Sequence, residues 1–244
     1  MNDEKLYTVK IFEAGNGNAR GNIFFIGPFT GREIYFRPLI KKISQRYKVY
    51  YIQPKDECLS YGSPEKLEQG INQVGEFIKQ NQIKPKGIIN YIKLKFGKKT
   101  NKNFVIATSL GSYFSYFNIP IFDYVDKYFL TATGGLITHV YQDSDFKKLM
   151  KIKDFSTEQV DGAVKIWSDL EARVLPGIKL SGKSIKMINS NNDKLIQKKH
   201  TQEWFGVADL TGADVQFEYT NLPGHQAQVL ALNLYSKKIE EFFG

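Results

Sequence analysis

Short runs of β-branched and aromatic residues alternate along the chain with longer stretches whose apolar positions recur every three or four residues. The first pattern predicts strands and the second predicts amphipathic helices. Strand runs fall at residues 22–26, 48–52, 103–108, 127–131, 184–188 and 215–219, and residues 6–12 add an antiparallel edge strand. Strands separated by helical segments predict an α/β fold: a mostly parallel central sheet with helices on both faces.

The helical segments have identifiable starts and buried sides. Residues 32–47 place Phe36, Leu39, Ile40, Ile43 and Tyr47 at helical spacing, which puts Pro38 in the first turns or at a kink. Ser63 followed by Pro64 marks the next helix, with Leu67, Ile71, Val74 and Ile78 as its buried stripe. Residues 86–96 predict a short helix. Residues 225–243 predict a last one, with Val229, Leu230, Leu232, Leu234 and Ile239 along one side. Residues 134–183 interrupt the alternation with helical rather than strand signals, and are a candidate helical lid. Within them Ser156 and Gln159 form a capping-box pattern, Phe155 and Val160 a hydrophobic staple, and Val160, Val164, Trp167, Leu170 and Val174 an apolar stripe that Pro176 and Gly177 stop.

Composition narrows the class. The 244 residues contain no linker-like stretch and no internal repeat, so a single domain over 1–244 is expected. With 42% hydrophobic and 24% charged residues, a chain of this size buries a core without covalent staples. Lys and Arg outnumber Asp and Glu by 34 to 25, a net charge of +9 that favours anionic partners. The lysines are nevertheless spread out, with clusters only at 93–102 and 147–153 and no nucleic-acid-binding motif, so nucleic acid is not expected. Cys58 is the only cysteine, which excludes an intrachain disulfide and a cysteine-based zinc site and fits a reducing compartment. Residues 1–10 are polar and no apolar run is long enough to span a bilayer, so a cytoplasmic protein without stable membrane insertion is expected. Oligomeric state is not legible.

The chemistry concentrates at Phe104-Val105-Ile106-Ala107-Thr108-Ser109-Leu110-Gly111-Ser112, an apolar strand that runs through a small-residue turn into a helix. A serine at such a turn is forced into a strained backbone conformation, which requires small residues two positions to either side; Ala107 and Gly111 supply them. The hydroxyl is thereby presented at the top of the sheet, beside the positive end of the next helix. A serine that simply caps that helix is the competing reading.

From the strand at residue 22 to the C-terminal helix, the chain resembles the α/β-hydrolase family, whose nucleophile elbow the stretch around Ser109 matches. Phe24-Phe25-Ile26-Gly27-Pro28-Phe29-Thr30-Gly31 resembles the family's strand and oxyanion loop, with Gly27 and Pro28 in place of the usual His-Gly pair. The resemblance implies an oxyanion hole made by the backbone N–H groups of Phe29 and Leu110. An alignment shifted by one residue would put Pro28, which has no N–H, at the first of these positions. Residues 185–196 are similar to the family's strand and acid loop and put Asp193 at the acid position, against a plain helix-capping role. Asn221-Leu222-Pro223-Gly224-His225 resembles the last strand's catalytic loop and makes His225 the base, against a helix-start histidine without catalytic role. The order Ser109, Asp193, His225 is the order this fold uses.

The resemblance implies a serine hydrolase that cleaves a carboxylic ester or thioester through an acyl-enzyme, without metal or organic cofactor. An acyltransferase with the same triad and a non-catalytic binding protein on the same fold are the alternatives. Tyr113 and Trp167 are candidates for the substrate pocket, as are the other aromatics around the site, Phe29, Tyr35, Phe36, Phe114, Tyr116 and Phe117, although aromatics at helical spacing more often build the core. An anionic carrier such as coenzyme A or an acyl-carrier protein would suit the positive charge.

Overall fold

The computed structural model describes residues 4–13, 19–28, 31–55, 64–84, 103–143, 156–174 and 180–244. Among them seven strands form one sheet: β1 (Tyr7–Phe12), β2 (Asn22–Ile26), β3 (Lys48–Pro54), β4 (Asn103–Thr108), β5 (Lys127–Thr131), β6 (Ser184–Ser190) and β7 (Asp214–Thr220). Their spatial order is β1-β3-β2-β4-β5-β6-β7. β1 runs antiparallel to β3 and every other pair is parallel. β2 and β4 are buried along their whole length, as central strands covered on both faces must be.

The strand period of two divides the apolar side chains between two cores. Phe24, Ile26, Val105 and Ala107 point to the face covered by α2 (Pro64–Asn81), α3 (Leu110–Asn118) and α5 (Thr157–Val174). Ile23, Phe25, Phe104 and Ile106 point to the other face, covered by α1 (Arg37–Ile43) and the C-terminal segment. Leu67, Ile71, Val74 and Ile78 of α2 are all buried, and α2 begins at Pro64. In α1 the proline sits in the first turn, where the lost N–H has no helical partner, and a 3₁₀ turn over Glu33–Phe36 leads into it. The helix expected at 86–96, Ser63, and the side chains of the expected capping box and staple other than Ser156 lie outside the described residues.

The C-terminal segment differs from the single helix that its periodicity predicts. It is α7 (Gly224–Leu230), a 3₁₀ turn over Ala231–Tyr235, and α8 (Ser236–Phe243), with α6 (Lys198–Leu210) before them. Asn233 causes the break: its amide donates to the carbonyls of Tyr35 and Leu230, and its oxygen accepts from the N–H of Leu39. The tighter turn shifts the helical phase. Val229, Leu232 and Ile239 stay buried, whereas Leu230 and Leu234 are 49% and 77% exposed.

Between β5 and β6 the described residues hold α4 (Ile137–Asp143) and α5, which starts directly after Ser156. Trp167 of α5 stacks on Phe117 at 5.6 Å and lies 6.3 Å from Tyr113, so α5 is seated on α3 by its aromatic stripe. Glu171 of α5 accepts hydrogen bonds from the N–H groups of Ile137 (2.5 Å) and Thr138 (3.3 Å) and from the Thr138 hydroxyl. It caps α4 from a neighbouring helix, and burial holds its carboxyl above the usual carboxylate range.

This packing has two measurable outcomes. A Cβ on Gly111 would stand 2.4 Å from the carbonyl oxygen of Gly27 and 2.5 Å from that of Ile26. Gly111→Ala must therefore lift α3 off β2, and we expect a loss of about 1–3 kcal/mol, read as a lower urea midpoint; an unchanged midpoint contradicts the close approach. For Glu171, a carboxyl raised in the folded state binds its proton more tightly there than in the unfolded chain. Its stabilisation is present below the unfolded pKa and is lost as pH rises through the folded one. Glu171→Gln keeps an acceptor for both N–H groups, so the variant gains on wild type as pH rises above the unfolded carboxyl value of about 4.3. Glu171→Ala costs about 1–3 kcal/mol by leaving buried donors unpaired. A wild-type-minus-Gln difference independent of pH would refute the assignment.

Candidate active site

Ser109 is the single residue between β4 and α3, and its backbone lies at φ 53°, ψ −129°. L residues rarely adopt this region, and the surroundings hold it there. The Ser109 N–H donates to Thr131 O at 3.0 Å, and its carbonyl accepts from the Ser112 N–H at 2.9 Å. Ala107 is fully buried, and Gly111 lets α3 approach the carbonyls of Ile26 and Gly27. The turn leaves the Ser109 side chain partly exposed at the C-terminal end of the sheet.

The sheet brings the loops after β6 and β7 to the same end. Ser109 Oγ lies 2.8 Å from His225 Nε2, and His225 Nδ1 lies 2.7 Å from Asp193 Oδ2. An ionised carboxylate only accepts, so Nδ1 carries the ring proton and Nε2 is left to accept from the Ser109 hydroxyl. The Asp193 side chain is wholly buried and that of His225 is 15% exposed. Asp193 makes the contacts that both readings of its sequence context require. While Oδ2 faces His225, Oδ1 accepts from the N–H groups of Leu195 (2.8 Å) and Ile196 (2.9 Å), which fixes the loop as a capping aspartate does. The capped turn is local, since α6 begins only at Lys198.

His225 follows Gly224, whose φ of 84° suits glycine, and stands in the first turn of α7. Polar residues that the sequence did not single out lace its loop to that of Asp193. The Ser190 hydroxyl donates to Leu222 O at 2.6 Å, Asn192 Nδ2 to Asn221 O at 3.1 Å, and Asn191 Nδ2 to Asn221 Oδ1 at 3.0 Å. Their only sequence signal is the run Ser190-Asn191-Asn192 at a strand end, which reads equally well as an ordinary turn. The other two histidines are elsewhere: His139 pairs with Glu203 at 3.2 Å, and buried His200 accepts from the Gln197 N–H at 3.2 Å.

The remaining site candidates are distributed differently. Leu110 is the first residue of α3, where a backbone N–H has no acceptor within its own helix. Phe29 lies outside the described residues, and Pro28 offers its carbonyl to Gln53 Nε2 at 3.0 Å. Tyr113 and Trp167 are 3% and 1% exposed and belong to the core, together with Phe114, Tyr116 and Phe117. Burial drives the Tyr113 hydroxyl far above the usual tyrosine range. The open cleft beside the site, about 440 Å³, is lined instead by Asn192, Lys194, Leu195, Pro223, Gly224 and His225. Among the described residues no group of three or more His, Cys, Asp or Glu side chains is placed to hold a metal ion, and no helix is long and apolar enough to cross a membrane.

No protein-family model and no curated protein matches the chain. Solved structures do. The type II thioesterase BorB from the borrelidin biosynthetic cluster superposes with a TM-score of 0.60 at 12% identity, covering 97% of each chain. Est1E from Butyrivibrio proteoclasticus gives 0.59 at 8% identity, covering 97% of this chain and 94% of its own. MGS-M2, an α/β hydrolase enzyme from a Medee basin deep-sea metagenome library, gives 0.56 at 10% identity, covering 98% and 94%. Likeness at this level of identity carries the architecture alone, and with the sheet order and the helices on both faces it shows that the chain has the α/β-hydrolase fold.

Proposed function

We propose that the protein is a serine hydrolase that cleaves a carboxylic ester or thioester, with Ser109 as nucleophile, His225 as base and Asp193 as acid. The observation that carries the reading is the unbroken line of short hydrogen bonds from Ser109 Oγ through the imidazole to a buried carboxylate. His225 Nε2 takes the hydroxyl proton as Oγ bonds to the substrate carbonyl carbon, and Asp193 stabilises the imidazolium. The N–H groups of Leu110 and Phe29 receive the oxyanion. Collapse expels the alcohol or thiol, which leaves with the proton from Nε2. Water, deprotonated by the same nitrogen, then releases the acid and restores Ser109.

The chain is one domain in this reading, with 134–183 as its lid; the seating of α5 on α3, the helix that starts beside Ser109, supports that role. A cytoplasmic setting accords with the single cysteine. Lys194, exposed on the wall of the cleft that His225 lines, supports a substrate bearing an anionic group.

A fluorophosphonate probe is expected to modify wild-type protein at Ser109, as mapped by peptide mass, and not the Ser109→Ala variant. His225→Ala and Asp193→Asn should fold normally and label roughly 10³-fold more slowly or worse. Labelling at wild-type rate in both variants would refute the triad. With activated esters, Lys194→Glu should lower kcat/KM for an acyl group ending in a carboxylate by about three- to tenfold, and leave the neutral ester of equal length unchanged. An equal effect on the two esters removes the case for an anionic substrate.

A further inference from the structure

We infer that Gln228 is a positioning residue that sets the His225 imidazole against Asp193 and Ser109, an inference that rests on the catalytic reading of those three residues. Gln228 stands one helical turn after His225 on α7 and is fully buried. Its amide is used at both ends. Nε2 donates to the carbonyl of Ile188 at 2.9 Å, and Oε1 accepts from the Thr220 hydroxyl at 2.7 Å. Ile188 lies on β6, which runs into the loop of Asp193; Thr220 ends β7, which runs into the loop of His225. One side chain therefore ties the histidine's helix both to β6, which leads to Asp193, and to the end of β7, which leads to His225 itself.

The tie extends to the nucleophile. The Ile188 carbonyl also accepts from the N–H of Ala132 at 3.3 Å, a residue held at φ 50°. The preceding residue, Thr131, supplies the carbonyl that holds the Ser109 N–H at 3.0 Å. A line of hydrogen bonds thus runs from the Ser109 turn across the ends of β5 and β6 to Gln228, and along α7 to His225.

The geometry of α7 makes such a tie necessary. The helix has only 7 residues, too short to be rigid by itself, and it starts from Gly224, around which a Cβ would meet nothing within 4 Å. The open turn at Gly224 does not by itself fix the rotation of the helix about its axis, and a rotation would swing the imidazole away from Ser109 Oγ and Asp193 Oδ2. His225 and Gln228 are three residues apart and lie on one side of the helix, so bonds at Gln228 oppose that rotation directly. A misplacement near 1 Å costs roughly a hundredfold in rate. A glutamine that served only the core would lower stability without displacing the ring.

The test uses Gln228→Leu and Thr220→Val, each checked for native amide dispersion by NMR, with two readings. The first is the low-field Nδ1–H resonance of His225, identified by its absence in His225→Ala. The second is the rate of Ser109 modification by a fluorophosphonate probe as a function of probe concentration. Gln228→Leu should lose or broaden the resonance and slow maximal labelling roughly ten- to a hundredfold, with the half-saturating probe concentration unchanged. Thr220→Val, which removes one of the two bonds, should act in the same direction by about threefold or more. Wild-type resonance and rate in folded Gln228→Leu would overturn the inference, and Thr220→Val decides by the same readings if Gln228→Leu does not fold. Should wild type itself fail to label at Ser109, the catalytic reading is what fails, and the resonance alone decides whether Gln228 places the ring.

Discussion

The backbone at Ser109 is held at φ 53°, ψ −129°, which costs on the order of 1–3 kcal/mol, and much of the surrounding structure serves to keep it there. β4 lies between β2 and β5, so its end cannot fray, and the buried hydroxyls of Thr108 and Thr131 bond across the strand pair at 2.9 Å. α3 is buried from Gly111 to Asn118. Burial of its aromatic side chains is the favourable term that offsets the strain. The close approach of Gly111 to the carbonyls of Ile26 and Gly27 fixes how far α3 stands from the sheet, and so where the Ser109 side chain emerges.

Parallel topology supplies the rest of the geometry. Each strand from β2 to β7 ends at the same edge, and the loops leaving those ends meet there regardless of separation along the chain. Ser109, Asp193 and His225 come from three different strand ends and form one hydrogen-bonded line. The loops after β6 and β7 are further joined through Ser190, Asn191 and Asn192. A buried carboxylate with one oxygen on backbone N–H groups and the other on an imidazole has its lone pairs satisfied in a fixed direction, which is what an orienting group requires.

Glu171 shows the same economy in the segment between β5 and β6. It caps α4 from α5 and so joins two helices that residues 144–156 separate along the chain, while Trp167 joins α5 to α3. The aromatic residues Tyr113 and Trp167 are spent on this packing, and the open cleft is lined instead by His225 and the loops of Asn192 and Pro223.

Fold class and strand positions were legible in the chain because strand and helix periods are local properties: a run such as Asn103–Thr108 shows its burial on both faces in six consecutive residues. The Ser109 turn was legible for the same reason, since its steric requirement falls on Ala107 and Gly111, two positions away. The order of Ser109, Asp193 and His225 followed from resemblance, not from local pattern. Tertiary structure decided what depends on contacts between distant segments. Asn233 breaks the C-terminal helix because Leu39 and Tyr35 lie beside it, which turns Leu230 and Leu234 outward against their periodicity. Asp193 bonds its own turn and His225 at once because its two oxygens face different groups, and Tyr113 and Trp167 are core residues because α5 lies on α3. Gln228 reads in sequence as one polar residue in a helix, and only the ends of β6 and β7, brought within hydrogen-bond reach, make it buried and satisfied. Local sequence determines which backbone conformations a segment can take, whereas a hydrogen bond between Ile188 and Gln228 exists only once the sheet has placed them together.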